Sequence, residues 1–169
     1  MAMLRNEKVR PDLDINEILV AMGSKFIDEG AFRAVYSLGN DLVVKVAKLD
    51  YHGCRTDGIR DNMAEMALWN NISRGKCYHK MRRWLAPCHN ISFGGIALIQ
   101  QRTTPCPQHL LPKRVPHWIT DIKSSNGGLL NGKFVFHDYA FTLMFNDAVD
   151  NHKLVPTTID SDGYWFKLS

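Results

Sequence analysis

The chain has 169 residues, 45% of them apolar, and a net charge of +4, which suits one globular domain burying roughly 70% of the surface its unfolded form exposes. The charge admits an anionic partner such as a nucleotide without demanding a polyanion, and no run of about 20 apolar residues argues for a membrane span. The cysteines, Cys54, Cys77, Cys88 and Cys106, form no CxxC pair and no Cys/His cluster with zinc spacing, so reduced thiols in a cytoplasmic protein are expected.

Met1-Ala2-Met3-Leu4-Arg5 runs into polar and charged residues, which predicts no signal peptide. Residues 1–13 are mostly polar, with Val9 and Leu13 as scattered anchors, and are expected to be flexible. Asp14-Ile15-Asn16-Glu17 resembles a capping box, and Ile15, Ile18, Leu19 and Met22 then repeat at helical spacing up to a stop at Gly23. Two strand-like runs, 32–38 and 41–47, flank Gly39-Asn40 and predict a hairpin. A polar loop over 51–58 leads into a helical pattern with Ile59, Met63 and Met66 on one face. Residues 74–83 are basic and irregular. A second hairpin is expected from 85–93 and 95–101 around Gly94-Gly95, then a link broken by Pro105, Pro107, Pro112 and Pro116. Strands at 127–130 and 133–136 flank the turn pair Asn131-Gly132, and a tail follows. This order is α+β, without alternating βαβ units.

The chemistry concentrates in Asp121-Ile122-Lys123-Ser124-Ser125-Asn126 and in Asp138, which follows the apolar run Phe134-Val135-Phe136 and His137. Phosphoryl transfer needs charge neutralisation, metal ions and a positioned nucleophile more than covalent chemistry. Mg²⁺ takes oxygen ligands, usually one or two carboxylates plus phosphates and water. Asn126 and Asp138 offer such oxygens, Asp121 offers a base for an attacking hydroxyl, and Lys123 offers charge for a γ-phosphate. Each also has an ordinary use: Asp and Asn favour turns, and a lysine among valines is common on a half-exposed strand. A carboxylate at the end of an apolar strand is harder to dismiss, because it needs a partner.

This spacing resembles the catalytic loop and the Asp-Phe-Gly motif of protein kinases and their relatives, including aminoglycoside phosphotransferases. Upstream, Val43-Val44-Lys45-Val46 resembles the kinase strand whose lysine reaches the α- and β-phosphates, and Glu65 is placed like the helix glutamate that pairs with it. Asp28-Glu29-Gly30-Ala31-Phe32-Arg33-Ala34-Val35 looks like a weakened glycine-rich loop: Gly30, Phe32 and Val35 match, while Asp28 and Arg33 replace glycines. Arg33 is expected to offer charge to the phosphates instead. The resemblance covers about residues 24–140 and extends to small kinase-like proteins of bacteria and their phages. It implies a protein-kinase-like α+β fold in a single domain, with an antiparallel N-lobe-like sheet and helix over 14–102 and a strongly reduced C-lobe over 103–169. It also implies ATP and Mg²⁺ as cofactors, with catalytic Asp121 and Lys123, ATP-binding Gly30, Phe32, Val35, Lys45 and Glu65, and metal ligands Asn126 and Asp138.

The sequence departs from the family in places. Ile119-Thr120 precede Asp121 where a kinase has His-Arg, and Tyr139-Ala140 stand for Phe-Gly. The link between 101 and Asp121 is short, and there is no Ala-Pro-Glu motif. The function implied is ATP-dependent phosphotransfer, with a protein hydroxyl as acceptor. One alternative is a kinase-shaped module of weak or no activity that binds a host protein. Another is a small-molecule kinase of the antibiotic-phosphotransferase type. The basic run Arg74, Lys76, Lys80, Arg82 and Arg83, interleaved with Tyr78, His79 and Trp84, is a solvated loop by default and a partner surface under the binding-module alternative. Neither nucleic acid nor a membrane is an expected partner. Trp69 and Trp84 are expected in the core or at an interface of the two parts.

Overall fold

The computed structural model describes residues 15–50, 52–74, 79–140 and 153–168. The flexible segment expected over 1–13, Asp14 of the capping box, Lys76, Cys77 and Tyr78 of the basic stretch, and residues 141–152 of the tail lie outside them. The described chain is α+β, with antiparallel sheets and few helices.

Helix α1 (Ile15–Ala21) ends where Gly23 takes φ 79° and the Ser24 amide donates to the Leu19 carbonyl at 2.9 Å, a glycine stop that satisfies a terminal carbonyl. Strands β1 (Lys25–Glu29), β2 (Arg33–Gly39), β3 (Leu42–Ala47), β4 (Cys88–Ile91) and β5 (Ala97–Gln101) form one sheet in the order β1-β2-β3-β5-β4. The expected hairpins are β2–β3, turning through Gly39, Asn40 and Asp41, all at positive φ, and β4–β5, turning through Phe93–Gly95. β1 was not expected. It is an edge strand whose five residues are all exposed, so it carries no alternating apolar pattern to read.

Alternation along β2 and β3 sorts their side chains onto two faces. Ala34, Tyr36, Val44 and Val46 pack with Leu19 of α1. Arg33, Val35, Val43, Lys45 and Ala47 take the other face, against which helix α2 (Thr56–Arg74) lies. α2 starts inside the loop expected over 51–58, and of Ile59, Met63 and Met66, expected on one face, Met66 packs against the apolar core and Ile59 is half-buried. The buried residues are Gly58, Asp61, Asn62, Glu65, Leu68 and Ile72, whereas Met63 is 55% exposed. The physical reason is that α2 turns its polar stripe inward to meet cations from the sheet. Gly58 sets the approach: a Cβ there would lie 2.5 Å from the Phe32 carbonyl oxygen and 2.8 Å from Ala47 Cα.

Beyond α2, the basic stretch expected to be irregular contains a short helix, α3 (His79–Arg82), held by Met81 in the core. The proline-broken link contains strand β6 (Arg114–Pro116). Strands β7 (Gly127–Leu130) and β8 (Lys133–Phe136) form the expected hairpin, with Asn131 and Gly132 at φ 51° and 74°. Strands β9 (Leu154–Ile159) and β10 (Trp165–Lys167) were unexpected and join β6 in a sheet ordered β10-β9-β6. One apolar cluster runs through both parts of the chain, from Leu68, Ile72 and Met81 through Leu98 to Trp118, Phe136, Tyr139 and Trp165. Trp69 and Trp84 pack against it, as expected.

Candidate functional site

A cleft of about 490 Å³ opens between the five-stranded sheet and the loops that follow it. Val35, Val43 and Lys45 line its sheet side. Residues Gln100 to Cys106 form its back and side, and Ser124, Ser125, Gly127 and His137 form its floor. The connection after β5 is tied to β7: Thr104 and Leu129 exchange backbone hydrogen bonds of 3.0 and 2.8 Å. Gly128 permits that approach, since a Cβ would lie 2.5 Å from the Thr104 carbonyl oxygen. At the back, Gln100 is fully buried and its Nε2 donates to Cys88 Sγ at 3.6 Å, while its Oε1 has no hydrogen-bond partner.

Lys45 sits mid-strand on β3, opposite Val35 on β2 and Leu98 on β5. Its Nζ donates to Glu65 Oε2 at 2.8 Å and to the His137 carbonyl. Glu65 is fully buried, and its other oxygen accepts from Arg33 at 2.9 Å and from the Tyr139 amide at 3.2 Å. The same Arg33 nitrogen lies 2.7 Å from Asp138 Oδ1, and the second guanidinium nitrogen lies 3.4 Å from Asn62 Oδ1. Asn62 also donates to the carbonyl oxygens of Lys45, Gly95 and Ile96, fastening α2 to the sheet.

Arg33, expected to offer charge to phosphates, is engaged by Glu65 and Asp138 and does not line the cleft. It lies on the same strand face as Val35, opposite the small Ala47, and its side chain is only 7% exposed. A guanidinium buried there needs carboxylate partners, and it finds them in Glu65 and Asp138. Burial works to lower the Arg33 pKa, but Glu65 and Asp138 outweigh it and push it up. Burial likewise works to raise the Asp138 carboxyl, and Lys45 and Arg33 outweigh it and hold the group below the usual carboxylate range. Asp61, also buried on this face of α2, is pushed up by burial.

The floor is an extension of the same network. The Asn126 carbonyl accepts from the His137 and Asp138 amides at 2.9 and 3.1 Å. Its side-chain Nδ2 donates to Asp121 Oδ2 at 3.0 Å and to the Asp121 carbonyl at 3.1 Å. Lys123 Nζ lies 3.1 Å from Asp121, and both side chains are open to solvent, at 64% and 41% exposure. His137 Nε2 donates to the Ser125 carbonyl at 2.9 Å, so Nδ1 accepts from the Thr103 hydroxyl at 2.7 Å. Burial lowers the His137 pKa, which keeps the ring neutral. It ties the connection after β5 to the floor.

Lys45, Glu65, Asn126, Asp138, Asp121 and Lys123 are thus joined, with Arg33, in one chain of hydrogen bonds. Val35 lines the cleft. Gly30 and Phe32 do not; they lie in the turn between β1 and β2, where the Gly30 amide donates to the Arg33 carbonyl at 2.9 Å and Phe32 is 40% exposed. Sequence reasoning missed Asn62 and the inward turn of Arg33. The signal for Asn62 was its place one helical turn before Glu65, on the same face. For Arg33 it was strand alternation, which puts it on the side of Lys45.

A metal ion fits this arrangement in a limited way. Among the described residues no group of three His, Cys, Asp or Glu side chains could hold one, and one Asp138 oxygen is engaged by Arg33. Asn126 and the other Asp138 oxygen are oxygens of the kind Mg²⁺ takes alongside phosphates and water, and they do not form a resident metal cage.

A second cleft, of about 290 Å³, is lined by Lys80, Arg83, Trp84, Pro116, Trp118 and Leu154 with Met81. The Arg83 guanidinium lies 5.3 Å from the centre of the Trp84 ring.

Among the described residues no helix is long and apolar enough to cross a membrane. No protein-family model matches the sequence, and no curated protein matches it.

Proposed function

We propose that the chain binds Mg-ATP in the larger cleft and transfers its γ-phosphate, as a reduced kinase-like phosphotransferase acting on a protein hydroxyl. The observation that carries this reading is the continuous network that starts at Lys45 on the cleft wall and runs through Glu65, Arg33, Asp138 and Asn126 to Asp121, next to the floor residues Ser124, Ser125 and His137. Apolar Val35 and Val43 suit a flat base. The partnerless Gln100 oxygen suits an amine donor such as adenine carries. Lys45 suits the anionic end.

In this reading Lys45, aimed by Glu65, holds the α- and β-phosphates. Asn126 and Asp138 hold Mg²⁺, which supplies charge neutralisation for the phosphates. Asn126 fixes the Asp121 carboxylate through its Nδ2, leaving Asp121 exposed enough to meet an acceptor and take its proton. Lys123, beside it, steadies the γ-phosphate. Asp121→Asn keeps the hydrogen-bonding shape and removes the base. ATP binding is expected to persist while transfer slows about 10²–10⁴-fold. Equal turnover by Asp121→Asn and the parent, measured as phosphate released or transferred, would remove the base assignment.

The second cleft favours a binding module as the other reading, because two cations beside two indoles and a proline suit an acidic peptide. Reversing the charge of Lys80 and Arg83, the two cations that line it, then abolishes capture of the partner. Capture unchanged by that reversal eliminates this face.

A further inference from the structure

The nucleotide reading leaves Arg33 without a task, yet its side chain joins β2, α2 and the segment after β8. It stands on β2. One nitrogen touches Glu65 of α2 at 2.9 Å and Asp138, beyond β8, at 2.7 Å, and the other reaches Asn62. Glu65 accepts the Tyr139 amide with the same oxygen. The segment carrying Asp138 is therefore fastened to α2 twice, once by its backbone and once through the guanidinium. The second guanidinium nitrogen adds the contact to Asn62, which a single ammonium at the end of a lysine would not reproduce along with both carboxylates. The arrangement is also hard to loosen in part. Lys45 and Arg33 face Glu65 and the half-exposed Asp138, and withdrawing Glu65 takes a carboxylate from both buried cations at once.

Phosphotransfer in this manner needs the lysine–glutamate pair and the metal-binding aspartate in place together. We infer that Arg33 is a positioning residue that clamps Glu65 and Asp138 in their phosphate-facing arrangement before any ligand arrives, so that the site is pre-assembled. This inference rests on the reading of the cleft as a nucleotide site. Pre-assembly removes the ordering cost from binding. If loss of the clamp leaves 1–10% of molecules competent, the apparent affinity falls about 10–100-fold.

The test compares the parent with Arg33→Gln and Arg33→Lys. ATP with magnesium is titrated into each, and amide hydrogen exchange is followed at Tyr139 and along α2 with and without ATP. In the parent the Tyr139 amide is expected to be protected without nucleotide and to change little on its addition. In Arg33→Gln that protection is lost, saturating ATP restores it, and affinity is weaker by about 10–100-fold. Arg33→Lys falls between. A merely structural role would lower the melting temperature and leave affinity unchanged. Affinity equal to the parent's or tighter overturns the clamp, the tighter result making Arg33 a plug. Should Arg33→Gln not fold, the parent decides: Tyr139 protection that appears only with ATP overturns the proposal. A parent that fails to bind ATP removes the nucleotide reading instead. The clamp is then judged by ligand-free exchange, where equal Tyr139 protection in the parent and Arg33→Gln or Arg33→Lys overturns it.

Discussion

At one end of the site Glu65 has no exposed side-chain surface and is met by Lys45, Arg33 and the Tyr139 amide. At the other, Asp121 is 41% exposed and is met by Lys123, itself 64% exposed, and by Asn126. The first end stands on β2, β3 and α2, with charges whose geometry is fixed by burial. The second stands on a short turn between the proline-broken link and β7, open to whatever approaches from solvent. The contrast divides labour: a rigid buried half suits holding a ligand that is always the same, and an open half suits meeting an acceptor. It also predicts how the halves respond to substitution.

The largest effect on stability belongs to the buried half. Glu65→Ala leaves two buried cations with one carboxylate fewer, and a loss of about 3–5 kcal/mol is expected in denaturant unfolding. A loss below about 1 kcal/mol would mean that the buried network is slack and the contrast false. Gly58→Ala comes next, and its sign is informative. In an open helix the change gains about 0.5–1 kcal/mol. Here the added Cβ meets backbone of Phe32 and Ala47 inside 3 Å, and overpacking costs about 1–3 kcal/mol. A net loss of about 1 kcal/mol is expected, and a stabilised variant would show that α2 shifts freely on the sheet. Asp121→Asn and Lys123→Ala should each change stability by no more than about 0.5 kcal/mol, as exposed residues do, although under the proposed function the first is expected to slow transfer. The smallest readout is chemical. Burial pushes the Cys88 thiol up to about 11, with Tyr139 Oη 3.0 Å away, whereas Cys54 is exposed. A thiol reagent at neutral pH should label Cys54 and leave Cys88 untouched until the chain unfolds. Rapid labelling of Cys88 in the folded protein would show the buried half to be open.

Legibility in the sequence followed the same division by local signal. The hairpins announced themselves through Gly39-Asn40 and Asn131-Gly132, because positive φ needs those residue types. Lys45, Glu65, Asn126 and Asp138 were singled out by motif spacing, and the fold joins them in one hydrogen-bonded network. What was hidden lacked a local signal. β1 has no buried face. α3 has four residues, too few to be helical without Met81 in the core. β6 and β9 contain Pro116 and Pro156, which argue against strands when read locally. The polar inner stripe of α2 misled the periodicity argument, since its burial depends on cations contributed by another element. Arg33 was misread for the same reason: its partners lie at positions 65 and 138, and only the fold brings them together.

The proposed reading puts Mg-ATP in the larger cleft with Asp138 as a ligand of the metal. Calorimetric titration of ATP with magnesium into the full chain and into Asp138→Ala tests it most directly. Saturable binding by the parent that disappears in Asp138→Ala is the result expected. No binding by the parent, or equal binding by both, would contradict it.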